Sequence, residues 1–282
     1  RLTYAERWDL SQLAENPVQR FETLAEEIET KVVQFEAARA YLSPTMEVSA
    51  FHPLLTLSED IAAASSRISA YAYLWFSENT KNLAARSFKT KVEERIIALQ
   101  NRMVFFDLWW QGVDEGNARR LMTETGTFRY HLETIRRFRP HTLSEPEEKI
   151  VNIKNITGRS AIHSLYDVVT NSFMFTLTVK GKRMTMTREE LTAYLRHTQG
   201  QLREAAYREL YRVYADQHDL LGEIYKTLVN DWKAENVQLR KFASPITTRN
   251  LGNDIPDEAV SSLLRVCQKN AGIFQRYFHI KA

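Results

Sequence analysis

Seven apolar side chains between residues 88 and 110 constrain the fold more than any other feature of this sequence. They follow one another at steps of 4, 4, 3, 4, 3 and 4 residues: Phe88, Val92, Ile96, Leu99, Met103, Phe106 and Trp110. Side chains at these steps share one face of an α-helix. The pattern therefore predicts a long helix over residues 80–110 that packs against another helix at a shallow angle. A role in the core is favoured, and an aromatic binding wall is the alternative.

Composition extends the helical prediction to most of the chain. The 282 residues contain 9 glycines and 7 prolines, whereas average usage gives roughly 20 and about 14. Apolar residues at helical spacing predict further helices over residues 18–42, 59–76, 117–139, 161–170 and 202–239. The exception is residues 173–186, where apolar and polar side chains alternate around Lys180-Gly181-Lys182, as in a small β-hairpin. The predicted fold class is mainly α, a long-helix bundle with one β-hairpin.

A proline-bounded segment, residues 140–146, is the best internal boundary. We expect an N-terminal helical subdomain over residues 1–142. Residues 143–282 form a second helical region, which carries the hairpin.

Charge and cysteine content exclude several classes of function. The net charge of +3, from 38 basic and 35 acidic residues, does not suit a nucleic-acid surface. The cluster Arg136-Arg137-Phe138-Arg139 is expected to be a solvated helix end rather than an anion site. Cys267 is the single cysteine and follows an apolar helical pattern, so it is expected to be a buried structural thiol. No apolar run approaches a membrane span, and the absence of a possible internal disulfide favours the cytoplasm.

Motifs that would place chemistry on this chain are missing from its sequence. None of the seven histidines begins H-E-x-x-H, the spacing that sets two imidazoles on one helix face for zinc. The nearest segment, His218-Asp219-Leu220-Leu221-Gly222, fails at both key positions. Phosphate-binding and dinucleotide-binding glycine loops and the G-x-S-x-G elbow are also missing. We therefore assign no catalytic, cofactor-binding or metal-binding residue, although a metal site built from scattered His and Glu stays open.

Several short motifs nevertheless occur in a recognisable order. The chain resembles the oligoendopeptidase F family of thimet-oligopeptidase-like zinc metallopeptidases, and the likeness extends over almost its whole length. The segments that carry it are Trp8-Asp9-Leu10-Ser11, residues 143–149, Thr157-Gly158-Arg159-Ser160-Ala161, Leu165-Tyr166, the hairpin at 173–186, residues 231–240, Phe242-Ala243-Ser244-Pro245 and Arg249-Asn250.

The resemblance implies a larger enzyme with two helical lobes around a channel that admits short peptides. In the family, the C-terminal lobe carries H-E-x-x-H and binds one zinc ion, which activates a water molecule for attack on the peptide carbonyl. This sequence stops at Ala282 without that motif. We therefore expect this chain to be the N-terminal, substrate-enclosing lobe and to be inactive alone. Its expected partners are the catalytic lobe and short peptides. Zinc is expected in the complete enzyme only. Trp232 and Leu239 are expected to anchor a long helix, and Ser244-Pro245 to turn the chain toward the catalytic lobe. A freestanding helical binding or scaffold protein is the alternative.

Overall fold

The computed structural model describes residues 8–282. Over these residues the chain forms helices and one antiparallel hairpin, so the predicted fold class is confirmed. The helices are α1 (Phe21–Ala37), α2 (Val48–Glu78), α3 (Leu83–Gly112), α4 (Glu115–Leu121), α5 (Arg129–Arg137), α6 (Glu145–Asn155), α7 (Ala161–Asn171), α8 (Arg188–Tyr194), α9 (Gly200–Asp216), α10 (His218–Trp232), α11 (Pro245–Gly252) and α12 (Asp257–Lys281). The strands are β1 (Phe175–Val179) and β2 (Lys182–Met186).

The periodic seam of residues 88–110 lies in α3 and faces the main core, as predicted. Six of its seven side chains are buried, and Met103 is partly buried beside them. The seam packs against α1 and α2, where the Phe21 and Phe88 rings meet edge to face at 5.5 Å. The aromatics therefore serve as core, and the binding-wall alternative is wrong.

Trp110 anchors the end of this bundle. Its side chain is fully buried, and its Nε1–H donates a 2.9 Å hydrogen bond to the carbonyl of Leu132 in α5. Arg136 donates to the carbonyls of Trp110 and Val113, at 2.9 and 2.7 Å. Arg137 pairs with Asp254. The predicted helix end is confirmed, since α5 ends at Arg137 and Arg139 is exposed. Arg136 and Arg137 are less solvated than expected, because both bind acceptors of the chain itself.

Helix α2 begins eleven residues before the predicted start at residue 59. Pro53 therefore lies inside the helix. Proline removes one backbone hydrogen bond and crowds the preceding turn. The buried side chains of Phe51, Leu54 and Leu55 on either side of it show that tertiary packing outweighs this cost.

Two other predicted helices are divided in the structure. The helix expected over 117–139 becomes α4 and α5, because the chain between them passes through Gly126 with a φ of 53°, a conformation that glycine adopts readily. The helix expected over 202–239 is interrupted at Gln217, between α9 and α10.

The hairpin forms as predicted and packs against helices. Lys180 and Gly181 both have positive φ, 51° and 76°, as a two-residue turn of type I′ requires. Phe175, Leu177 and Met186 are buried against α8 and α9. The backbone N–H of Thr176 donates to Glu209 Oε1 of α9 at 2.8 Å. This second cluster is separate from the main core, while the domain boundary near residue 142 stays a prediction.

Helix α12 is exposed along almost its whole length: none of its residues is buried, and only Val260 and Asn270 are half-buried. Cys267 lies on it and is exposed, so the prediction of a buried thiol is wrong. The apolar pattern that suggested burial is real, but nothing within residues 8–282 packs over it. None of the described helices has the length and apolarity needed to cross a membrane.

Candidate functional site at two facing π-helical turns

Two stretches of π-helix interrupt the regular helices in the second half of the chain. The first turn, Ile156–Ser160, joins α6 to α7, and the second, Lys233–Leu239, follows α10 without a break. The Thr157-Gly158-Arg159-Ser160 motif thus continues the helix in this wider form. π-Helical turns are rare and occur frequently at functional sites.

The two π-helical turns meet through polar side chains. Asn155, just before the first turn, donates a 3.4 Å hydrogen bond from Nδ2 to Oε2 of Glu235 in the second. Arg159 Nη1 lies 3.9 Å from the same carboxylate, and its guanidinium carbon lies 5.6 Å from the centre of the Trp232 ring. This cation–π contact places the segment that contains Arg159 and the segment 231–240 on one surface.

Arg240 is the most highly connected side chain at this contact. Its Nη1 and Nη2 bind the two carboxylate oxygens of Glu148 in α6, at 2.6 and 2.9 Å. Its Nε donates to Glu235 Oε1 at 3.0 Å. The three side chains are only 13–16% exposed. We call Glu148, Glu235 and Arg240 the Arg240 cluster.

The ionisation of the cluster follows from these bonds. Burial by itself raises the pKa of Glu148, but hydrogen bonds from Arg240 and from the Leu143 N–H outweigh it, and the pKa lies below its ordinary value. The bond to Glu148 raises the pKa of Arg240, against the effect of burial. Both groups are therefore charged at neutral pH.

The end of the second turn is held in place by backbone and ring contacts. The N–H of Phe242 donates to the carbonyl of Asn236 at 3.0 Å, and Lys241 between them has a φ of 58°. The rings of His141 and Phe242 stack with centroids 3.6 Å apart. His141 Nδ1 lies 2.9 Å from the Arg240 carbonyl oxygen. These contacts fix the chain as it leaves the helix toward α11.

The side chains of this arrangement hold parts of the chain in position and are not free to transfer protons. A general base needs a carboxylate or imidazole that is free to accept a proton, whereas Glu148 and Glu235 are each hydrogen-bonded to a guanidinium. In the part of the chain that the structure describes, no three His, Cys, Asp or Glu side chains are grouped to hold a metal ion. The residues present thus do not fit a zinc ion. The sequence assigned no catalytic or metal-binding residue, and that assignment stays a prediction.

The structure brings together three of the motif segments singled out from the sequence. Glu148 comes from residues 143–149, Arg159 from the Thr-Gly-Arg-Ser segment, and Trp232 and Arg240 from residues 231–240. Trp8, by contrast, lies with Tyr71 in the wall of another cavity. Sequence reasoning missed the pairing of Glu148 with Arg240. The available signal was two opposite charges in motif segments 92 residues apart.

Comparison with known proteins agrees with this convergence of motifs. A family model described as Oligopeptidase F matches residues 110–175, a span that includes Glu148 and Arg159. The Oligoendopeptidase F homolog of Borreliella burgdorferi is 21% identical over 281 residues, which are 98% of this chain and 46% of that protein. Oligopeptidase PepF of Bacillus subtilis is 20% identical over 236 residues, 80% of this chain and 34% of that protein.

Solved structures share the fold. Oligoendopeptidase-F from Enterococcus faecium superposes with a TM-score of 0.80 at 19% identity, over 93% of this chain and 52% of that chain. A putative peptidase from Chlamydophila abortus gives a TM-score of 0.58 at 16% identity, over 98% of this chain and 47% of that chain. This chain therefore spans about half the length of these proteins, or less.

The fold of this chain is that of the N-terminal part of these structures. The predicted resemblance to oligoendopeptidase F, over its N-terminal region, is confirmed.

Proposed function

We propose that this chain is the N-terminal, substrate-enclosing lobe of a zinc-dependent oligoendopeptidase that hydrolyses short peptides. It is inactive until it joins a C-terminal catalytic lobe, which supplies H-E-x-x-H and the zinc ion. Its relatives support the proposal because they are named peptidases and are about twice as long.

The observation that carries the proposal is the uncovered apolar surface of α12. This helix has 25 residues and no buried one, and its large apolar side chains are 54–87% exposed: Leu263, Leu264, Val266, Ile273, Phe274, Tyr277, Phe278 and Ile280. Contiguous apolar surface of this kind marks an interaction site. A second lobe packed on α12 accounts for an apolar helix that this half leaves bare.

In this proposal the Arg240 cluster is a positioning device. It fastens α6 to the end of the second π-helical turn, and α11 and α12 follow that turn directly. The cluster therefore sets the direction in which α12 leaves the lobe. It performs no proton transfer itself.

We also propose that the enzyme acts in the cytoplasm on peptides, without a nucleic-acid or membrane partner. The balanced charge supports the first exclusion. A chain with one cysteine forms no internal disulfide, which suits a reducing compartment.

The experiment combines this chain with the C-terminal half of a complete relative and follows cleavage of a quenched fluorescent short peptide. Each half alone should be inactive, and the zinc-loaded mixture should cleave. Cleavage by this chain alone, or tight association of the halves without cleavage, contradicts the proposal. A monodisperse monomer that never associates favours the freestanding binding protein instead.

A matched pair of variants tests the role of α12. Phe274→Asp introduces a charge on the apolar surface and should weaken association of the halves by about tenfold or more, since about 1.4 kcal/mol corresponds to tenfold in affinity. Gln268→Asp introduces the same charge at another exposed position of α12 and should leave association unchanged. Equal effects of the two substitutions would exclude an apolar interface.

A further inference from the structure

A cavity of about 330 Å³ opens beside the Arg240 cluster, between α3, α5 and α6. Its volume is at the lower end of the roughly 300–1,000 Å³ typical of small-molecule sites. Apolar side chains form part of the wall: Val104, Leu108, Ile135 and Phe138. The polar side chains of the wall decide which ligand the cavity suits.

Most polar side chains in this wall are already engaged by protein. Glu148 is bound by Arg240. The hydroxyls of Thr134 and Thr142 donate to the carbonyls of Tyr130 and Phe138, at 2.8 and 3.0 Å. These groups have no donor left for a ligand.

Four acceptors or titratable groups remain available. Asn152 donates from Nδ2 to Asn101 Oδ1 at 2.8 Å, which leaves its own Oδ1 as an acceptor. Gln111 donates from Nε2 to the carbonyl of Ile135 at 3.0 Å, which fixes its amide and leaves Oε1 as an acceptor. Asp107 and His131 make no hydrogen bond to any residue from 8 to 282, and both are exposed at the cavity mouth. The free polar atoms are thus mainly acceptors, with one unpaired carboxylate among them.

We propose that this cavity is a binding site for a small primary amine with a short apolar chain. A protonated amine offers three donors and no acceptor, which complements Asp107 and Gln111, and its alkyl chain would lie against the apolar wall. A carboxylate ligand would meet the acidic side chains of Asp107 and Glu148. A neutral alcohol would bring no positive charge to Asp107. The inference is independent of the proposed function.

Asp107 is ionised at pH 7.5 and can pair with a cation. Partial removal from water by the surrounding protein raises the pKa of Asp107 to about 6, against the effect of nearby His131. The residue is nevertheless exposed at the cavity mouth, so solvent reduces this shift. No arginine or lysine lines the cavity. His131 lies near Asp107 but makes no hydrogen bond to it, so no described residue of the wall occupies the position of the ligand's ammonium group.

The test titrates the chain with isoamylamine at pH 7.5 and follows the His131 imidazole and Gln111 amide signals by NMR, with isothermal titration calorimetry in parallel. We expect saturable shifts with isoamylamine and none with isoamyl alcohol or isovalerate, which have similar alkyl groups. Asp107→Asn should weaken amine binding by about fivefold, as expected for loss of one solvent-accessible ion pair.

Glu133→Gln is the matched control, because Glu133 lies on α5 outside the cavity and pairs with Arg129. It should bind the amine as the unsubstituted chain does. Unchanged affinity in Asp107→Asn with a native circular dichroism spectrum, equal binding of the alcohol, or no saturable binding of the amine would each overturn the proposal.

Discussion

Replacing Arg240 with alanine tests whether the Arg240 cluster holds the second half of the chain together. The substitution removes three charge-assisted hydrogen bonds of 2.6, 2.9 and 3.0 Å. It leaves two carboxylates, Glu148 and Glu235, with side chains only 13% and 14% exposed and no cationic partner at that position.

The magnitude follows from the burial of these groups. Removing one partner of a fully buried ion pair costs about 3–5 kcal/mol, because the other charge stays buried. Arg240 is 16% exposed, so water screens part of the interaction, and we expect a loss of about 2–3 kcal/mol at pH 7. Arg208→Ala is the control. It breaks a pair with Glu204 in which the side chains are 77% and 61% exposed, and it should cost less than about 0.5 kcal/mol.

The pH dependence of the destabilisation tests the electrostatic explanation independently. In the unsubstituted chain the folded pKa of Glu148 lies below its ordinary value of 4.5. Its contribution to stability is therefore complete above that value and is lost as the pH falls through the folded pKa. Without Arg240, burial raises the folded pKa above the ordinary value, so protonation relieves the cost. The destabilisation in Arg240→Ala should then be smaller at pH 4 than at pH 7, by about 1 kcal/mol.

Urea unfolding followed by circular dichroism measures both quantities, provided that the slope with denaturant is unchanged. A loss at pH 7 no larger than that of Arg208→Ala would refute the structural role of the cluster. A loss that is the same at pH 4 and pH 7 would refute the electrostatic explanation.

Three further predictions concern other parts of the molecule. Glu209→Gln should cost about 1–2 kcal/mol at pH 7, because a hydrogen bond from Arg212 lowers the pKa of this carboxylate to about 2; in urea titrations, the difference from the unsubstituted chain should vanish as the pH falls from 4.5 to 2. Trp110→Phe should cost about 2–3 kcal/mol in thermal unfolding, since it removes both buried volume and the bond to the Leu132 carbonyl; a loss under about 0.5 kcal/mol would contradict its role as anchor. Cys267 should react with Ellman's reagent about as fast in the native chain as in guanidinium, and should be protected once a catalytic half covers α12; slow reaction of the native chain alone would contradict its exposure.

The sequence by itself determined the parts of the fold that depend on neighbouring residues. The steps of three and four from Phe88 to Trp110 specify one face of a helix wherever that helix packs. Lys180-Gly181 specifies the hairpin turn, because glycine accepts positive φ at little cost. Thr187 and Glu190 form a capping box at the start of α8, with Glu190 accepting from the Thr187 N–H at 2.7 Å; this pattern also depends only on residues three apart.

Tertiary structure decided everything that depends on residues distant along the chain. Helix α2 runs through Pro53 because buried neighbours outweigh a local penalty. Two π-helical turns, which no periodicity indicated, face one another, and Arg240 meets Glu148 from 92 residues away. The exposure of Cys267 likewise depends on what packs against α12, since an apolar stripe in sequence shows which face can be buried but not whether another surface lies over it.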